Sequence, residues 1–144
     1  MRLEEEIKRA IFYQRPCSLI VINIDGFRKF REEHGELSAE EALKRVAKVV
    51  KDNAGPVGKA ARLGGDEFGV LFPEKNKREA GYLAEEIRKK IEALHVSQEA
   101  RASVTVSVGV SENPIDGATT DELFKRASDA VKEAKASGGN RVVS

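Results

Sequence analysis

Residues 62–72 read RLGGDEFGVLF, with Gly64, Gly65, Asp66 and Glu67 in succession between two short runs of strand-forming residues. A tight hairpin needs only one or two special residues, and Asn-Gly or Asp-Gly is enough. Two readings of the four positions stand at this point. One is a four-residue hairpin loop carrying solvated acids. The other is a site where backbone closely approaches a phosphate and a carboxylate holds a metal. The flanking sequence has to separate them.

Upstream, SLIVINI at 18–24 is a nearly continuous apolar run rich in Ile and Val, which predicts a central strand buried on both faces. Residues 2–13 predict a helix with Leu3, Ile7, Ala10 and Ile11 on one face and a charged stripe opposite. DGFRKFREEH, 25–34, predicts a short helix leaving the strand and ending near Gly35. Ser38 with Glu41 has the pattern of a capping box, opening a helix that buries Ala42, Leu43, Val46, Ala47 and Val50 and stops at Asn53, Gly55 and Pro56. Strands at about 57–63 and 68–72 then surround the four-residue turn.

Downstream, Asn76 is placed to cap a helix carrying Ala80, Leu83, Ala84, Ile87, Ile91 and Leu94. SVTVSVGV, 103–110, alternates valine with Ser, Thr and Gly, the pattern of a half-buried strand. Thr119 with Glu122 makes another capping box, Gly138 and Gly139 end the helix it opens, and NRVV closes with a short strand. The order is a helix followed by β-α-α-β-β-α-β-α-β. The central hairpin excludes an all-parallel sheet, so the fold class is α+β: a mostly antiparallel five-stranded sheet flanked by helices.

A chain of 144 residues, 40% hydrophobic and 34% charged, is one domain with a real core and is not disordered. Its 25 basic and 24 acidic residues leave a net charge of +1, which argues against a broad nucleic-acid or membrane footprint. The apolar run Leu19–Ile22 is too short to span a bilayer, and no secretory signal opens the chain. The single cysteine, Cys17, has no disulfide partner and reads as a small core residue. A reducing cytoplasm is the expected setting. His34 and His95 belong to no constellation and are expected at the surface near helix ends.

Gly64-Gly65-Asp66-Glu67-Phe68 spells the signature of the GGDEF family of diguanylate cyclase domains, and the resemblance extends over nearly the whole chain. SLIVINIDGF resembles the family's first strand, which ends Asp-x-Asp-x-Phe, and Asn23 is spaced from Gly64 without a gap. VSVGVS resembles its late strand. ASDAVKEAKASGGNRVV resembles its closing helix and strand, usually Ala-Lys-x-x-Gly-Arg-Asn-Arg. The resemblance implies a palm-like fold and condensation of two GTP into cyclic di-GMP with release of two pyrophosphates. Each protomer would hold one GTP, and two would meet face to face as a transient homodimer. Carboxylate-held Mg²⁺ or Mn²⁺ would neutralise the triphosphate. Gly64 and Gly65 would clear space for the nucleotide, Asp66 would bind metal, and Glu67 would position or deprotonate the 3′-hydroxyl. The implied metal set is Asn23, Ile24 and Asp66. Asp25, Gly26, Phe27 and Arg28 begin a helix whose free amides suit phosphate oxygens. Lys135 matches a lysine that reaches the terminal phosphates. Glu40 falls where an aspartate accepts from guanine.

The departures carry equal information. The first metal-binding aspartate is Asn23 here, a neutral and weaker ligand for a hard cation, so metal is expected to bind weakly. Asp25, two residues on, would be its substitute if the strand continued. The asparagine that reads guanine is Arg31, which only donates. The arginine four residues after the phosphate lysine is Gly139, and the product-inhibition motif Arg-x-x-Asp falls on Gly55-Pro56-Val57-Gly58. The family's opening Asp-x-Leu-Thr-Gly-Leu-x-Asn-Arg is missing. Residues 1–144 are thus expected to be one domain, excised from or lacking an upstream regulatory segment and its sensor. Three functions follow: a working or weakened diguanylate cyclase, a degenerate domain that binds nucleotide or a protein without turnover, or a palm-fold cyclase of altered base choice, for instance ATP. No DNA, RNA or membrane-inserted partner is expected.

Overall fold

Alternating side chains of one strand build both halves of the core. In the computed structural model, which describes residues 2–12, 16–97 and 102–144, β1 (Cys17–Ile24) lies at the centre of the sheet and is buried along almost its whole length. Ile20, Ile22 and Ile24 enter one hydrophobic cluster, while Cys17, Leu19 and Val21 enter a second on the opposite face. Among the described residues the remaining elements are α1 (Arg2–Phe12), α2 (Phe27–Ala54), β2 (Lys59–Gly64), β3 (Glu67–Pro73), α3 (Lys77–Glu92), β4 (Val106–Asn113), α4 (Thr120–Ala136) and β5 (Arg141–Val143). The sheet order is β2-β3-β1-β4-β5, antiparallel except for the parallel pair β4–β5. α2 and α3 cover the isoleucine face; α1 and α4 cover the other. Leu3 and Ile7 of α1 are buried as expected, and the packing of Ala10 and Ile11 lies outside the described residues.

Two of the expected caps hold helices as read. The Asn76 side chain accepts from the Glu79 amide and the Glu79 carboxylate accepts from the Asn76 amide, a reciprocal box at the start of α3. Thr119 caps α4 by accepting from the Glu122 amide. Cys17 is fully buried, and loss of hydration together with nearby Glu112 pushes its thiol up to about 11. His34 and His95 are exposed.

Three local expectations are corrected. The turn of the central hairpin is two residues long, not four: Gly64 pairs with Glu67, and only Gly65 and Asp66 lie between. A register shift between Arg62 and Gly64 makes the short connection possible, and the Arg62 guanidinium donates to the Gly64 and Gly65 carbonyls to hold it. The helix expected to start at Ser38 begins at Glu36, directly after a break at Gly35 (φ 85°, ψ 170°), a conformation glycine adopts readily. Ser38 therefore sits inside the first turn, buried, where it accepts a hydrogen bond from Ser97.

The third correction concerns β4, which runs 106–113 and is buried on both faces instead of one. Its Ser107, Gly109 and Ser111 row does not meet water. Helix α4 packs so closely there that a Cβ on Gly109 would lie 2.0 Å from the Ala127 carbonyl oxygen. Small side chains on this row admit a helix backbone, and the Ser111 hydroxyl donates to the Leu123 carbonyl across the contact.

Candidate active site

The register of the sheet sets three polar residues side by side. Asn23 near the end of β1 pairs with Glu67 on β3 and with Ser107 on β4, so Glu67, Asn23 and Ser107 form a row on the face that α4 covers. The signature turn is tied to the same place. The Ile24 amide donates to the Asp66 carbonyl (3.1 Å), and the Asn23 side-chain amide donates to Asp66 Oδ1 (3.3 Å). Asp66 and Glu67 are half-buried. Burial raises the Glu67 pKa, adjacent Asp66 raises it further, and nearby Lys135 offsets part of the rise. A carboxylate held closer to neutral pH is a better proton acceptor than a solvated one.

Asp25, one residue past β1, is the hub of the site. Ser107 Oγ (2.7 Å) and Lys135 Nζ (3.1 Å) donate to its Oδ1, while Thr105 Oγ1 (2.7 Å) and the Asn140 amide (2.9 Å) donate to its Oδ2. Burial alone would raise this carboxyl's pKa. The bonds from Ser107, Thr105, Asn140 and Lys135 outweigh it and hold the group below the usual aspartate range. Both oxygens are thereby engaged by four donors from β4, α4 and the residues just before β4 and β5. The arrangement argues against the expectation that Asp25 replaces the carboxylate missing at Asn23.

Gly26 (φ 60°) caps α2 without a side-chain bond, so the first-turn amides that follow are open to an external acceptor. The Phe27 ring is buried and stacked on Phe30 with centroids 5.9 Å apart, leaving only its main chain for a ligand. Arg28 is exposed. A cleft of about 680 Å³ opens between α2 and β2, lined by Arg31, Glu40, Leu43, Ala47, Arg62 and Phe68 among others. Gly55–Gly58 forms the turn between α2 and β2; Gly58 packs against the Ala54 carbonyl and Phe72. Gly139 (φ 72°) lies directly against the Asp25 carboxylate.

Among the described residues, no three His, Cys, Asp or Glu side chains gather into a ready cage for a metal. Magnesium is usually held by one or two carboxylates with substrate phosphates completing its shell. Asp66 and Glu67 fit one such ion. Asn23 adds no charge, and its NH₂ already answers Asp66. Ile24 has a buried side chain and offers only its main chain. The donor set fits one cation shared with a ligand and is too poor for two.

Sequence reasoning missed Thr105, Ser107 and Asn140, whose hydroxyls and amide fasten Asp25, and Arg62, which braces the turn. The spacing of 80 to 115 residues between Asp25 and its partners left no local pattern to read. Arg62 lies two residues before the glycines, a closer signal.

A family model described as "Diguanylate cyclase, GGDEF domain" matches residues 1–141. Response regulator PleD of Caulobacter vibrioides is 35% identical over 150 residues, which cover 99% of this chain and 32% of PleD. Diguanylate cyclase A of Treponema denticola is 33% identical over 126 residues, covering 87% of this chain and 34% of that protein. The chain thus spans about a third of the length of these curated relatives. Among solved structures, the GGDEF domain of DgcB from Caulobacter crescentus, in complex with c-di-GMP, aligns with a TM-score of 0.89 at 27% identity, covering 99% of this chain and 85% of that one. The active GGEEF domain of a diguanylate cyclase from Vibrio cholerae also gives 0.89, at 25% identity over 99% and 93% of the two chains.

Proposed function

This chain belongs to the GGDEF family of diguanylate cyclase domains, and on that premise we propose that it binds GTP and joins two molecules into cyclic di-GMP at a weakened rate. The observation that carries the proposal is the cluster at the end of β1: Asp66 and Glu67 remain, but the third member is a neutral amide bonded to Asp66. In the reaction, the 3′-hydroxyl oxygen of one GTP attacks the α-phosphorus of the other. The α–β phosphoanhydride bond breaks and pyrophosphate leaves. Glu67, its pKa raised, accepts the hydroxyl proton. The turn Gly64–Gly65 lets the nucleotide lie close to the backbone, and the amides after Asp25 and Gly26, with Arg28 beside them, meet phosphate oxygens. Lys135 reaches the same phosphates from α4. Bound at Asp66, Mg²⁺ or Mn²⁺ would neutralise triphosphate charge. A second copy of the chain supplies the second GTP, as a transient partner.

A second reading, nucleotide binding without turnover as a regulatory module, is favoured by one specific observation: Gly139 stands where the family's terminal-phosphate arginine does. Either way, residues 1–144 act as one domain in this reading. No helix of the described residues is long and apolar enough to cross a membrane.

Incubation of the purified chain with GTP and Mg²⁺ or Mn²⁺, followed by chromatography for cyclic di-GMP, tests this. Slow product formation that Glu67→Gln abolishes supports the cyclase. GTP binding with no product supports the regulatory module. Neither binding nor product refutes both.

A further inference from the structure

Asn140, whose backbone N–H is aimed at Asp25, stands in the left-handed region (φ 49°), where few residues other than glycine and asparagine settle. Its side chain is gripped at both ends from α3. Arg88 Nη1 donates to Asn140 Oδ1 (2.8 Å), and Asn140 Nδ2 donates to Glu92 Oε2 (2.5 Å). An amide can answer a donor and an acceptor side by side in this way; a carboxylate or a hydrocarbon cannot. Arg88 is itself fixed. Its Nε and Nη2 donate to the two carboxylate oxygens of Glu85, Nη1 also reaches Glu92 (3.4 Å), and the side chain is only 13% exposed. Glu85, Arg88 and Glu92 alone would be an ordinary set of neighbours on one helix face. The amide they share belongs to another part of the fold. α3 covers the isoleucine face of the sheet, α4 with Lys135 covers the other, and Asn140 lies just before β5 at the edge between them.

We infer that Arg88 is a positioning residue for the triphosphate: by holding the Asn140 side chain it fixes the backbone N–H that orients Asp25, and Asp25 in turn fixes the Lys135 ammonium. The inference rests on the nucleotide-binding reading above and adds to it a residue that acts only through Asn140. Each link is a hydrogen bond: Arg88 Nη1 to Asn140 Oδ1 at 2.8 Å, the Asn140 N–H to Asp25 Oδ2 at 2.9 Å, and Lys135 Nζ to Asp25 Oδ1 at 3.1 Å. The restraint has to come from α3 because the local sequence does not supply it. Gly138 and Gly139 immediately precede Asn140, both at positive φ, and such a pair leaves the direction of the next N–H open. Without Arg88, Asp25 Oδ2 keeps the Thr105 hydroxyl but loses a fixed second donor. The carboxylate can then turn about its last bond, and Lys135 loses its direction. Since Lys135 is the group assigned to the terminal phosphates, the cost falls on a triphosphate and spares a monophosphate.

Equilibrium binding of GTP and GMP, with NMR of the Asn140 backbone amide, on the chain, Arg88→Met, Asn140→Gly and the double variant tests the inference. Methionine keeps the helix and the buried stem without the guanidinium, and glycine keeps residue 140 in its left-handed conformation without the side chain. In Arg88→Met the Asn140 amide proton should move upfield and exchange faster, its bond to the carboxylate being no longer held. GTP should bind about fivefold more weakly and GMP as before, because part of the lysine's ordering entropy then falls on binding. Asn140→Gly should lower the preference for GTP over GMP to a similar degree, and Arg88→Met added to it should cost nothing further. An unmoved Asn140 amide in Arg88→Met would overturn the inference and leave nucleotide binding standing. So would an equal loss of GTP and GMP, the mark of a general loosening of the fold, or a full Arg88→Met effect in the Asn140→Gly background. Absence of nucleotide binding by the unmodified chain would overturn both.

Discussion

Replacing Asp25 by asparagine should destabilise the fold measurably, because an amide cannot satisfy the four donors that converge on the carboxylate. Ser107 and Lys135 donate to Oδ1, and Thr105 and the Asn140 amide donate to Oδ2. One oxygen position of Asp25→Asn becomes an NH₂. The hydroxyls of Ser107 and Thr105 can rotate to accept from it, but each position also faces a donor that cannot reverse: the Asn140 N–H at one, the Lys135 ammonium at the other. The less costly placement turns NH₂ toward Lys135, whose pair with Asp25 is partly exposed and worth no more than about 1 kcal/mol. The three remaining bonds lose their charge assistance, the difference between a hydrogen bond to a charged group and a neutral one being roughly 1 kcal/mol each. The total is about 3–4 kcal/mol, or roughly 6–16 °C in melting temperature for a domain near this size.

The pH dependence supplies an independent check. Asp25 is held below the ordinary aspartate range in the folded chain, so its contribution is complete above the unfolded value of about 3.9 and is lost as pH falls through the folded value. Thermal melts of both forms from neutral to acid pH should show a wide gap at pH 7 that closes below about pH 4. A gap under about 2 °C at pH 7, less than 1 kcal/mol, or one that does not close in acid, would refute the account of Asp25 as a charged hub.

Asn23→Asp should raise Mg²⁺ affinity about tenfold or more, since a second carboxylate then faces Asp66 across 3.3 Å; equal affinities by calorimetry would clear Asn23 as the weak point. Without metal the same variant should melt lower, because the new charge meets Asp66 and Glu67 with no counter-ion. Gly139→Arg should not restore activity by itself: φ is 72°, costing a non-glycine residue about 1–2 kcal/mol, and a Cβ would sit 3.0 Å from Asp25 Oδ2, so the melting temperature should fall. Cyclic di-GMP feedback through residues 55–58 should be missing, as Gly55-Pro56-Val57-Gly58 offers no arginine fork; tight binding of the dinucleotide mapped to that turn would contradict this.

Much of the fold was legible because hydrophobic periodicity and caps are local. The Ile-Val run of β1 and the Asn76 and Thr119 caps needed no knowledge of distant residues, and the hairpin was visible between two apolar runs. The errors came where two physical situations share one pattern. Ser107, Gly109 and Ser111 alternate with valines as a solvated face would, yet the same small residues are what allow α4 to press its backbone onto β4. Ser38-x-x-Glu41 has the form of a cap, but Gly35 breaks the chain three residues earlier and the helix starts there. In the site, Asp66 and Glu67 were legible from a signature. The employment of Asp25 was not, since its partners come from 80 to 115 residues away and only the closed sheet brings them together.

The Asp25–Lys135 pair does not take the lysine out of the nucleotide binding proposed for it. An ammonium carries three N–H donors, and among the described residues only one bond, to Asp25 Oδ1, engages Lys135. Two donors remain free, and the pairing restricts where they point. An unpaired lysine at a helix end would lose up to about 2 kcal/mol of side-chain entropy on clamping a phosphate, part of which this contact has already withdrawn. Asp25 in turn cannot leave: the Asn140 amide and two hydroxyls hold it whatever Lys135 does. A triphosphate arriving at the end of β1 would therefore meet a positioned cation beside open α2 amides, with Glu67 on the adjoining strand and Asp66 in the turn before it. What the site lacks is charge at Asn23 and Gly139, not order. Weakness of that kind lowers the hold on the transition state more than on the bound nucleotide, because negative charge is redistributed as the α–β bond breaks. Nucleotide binding is therefore expected to persist in this domain even where turnover is slow.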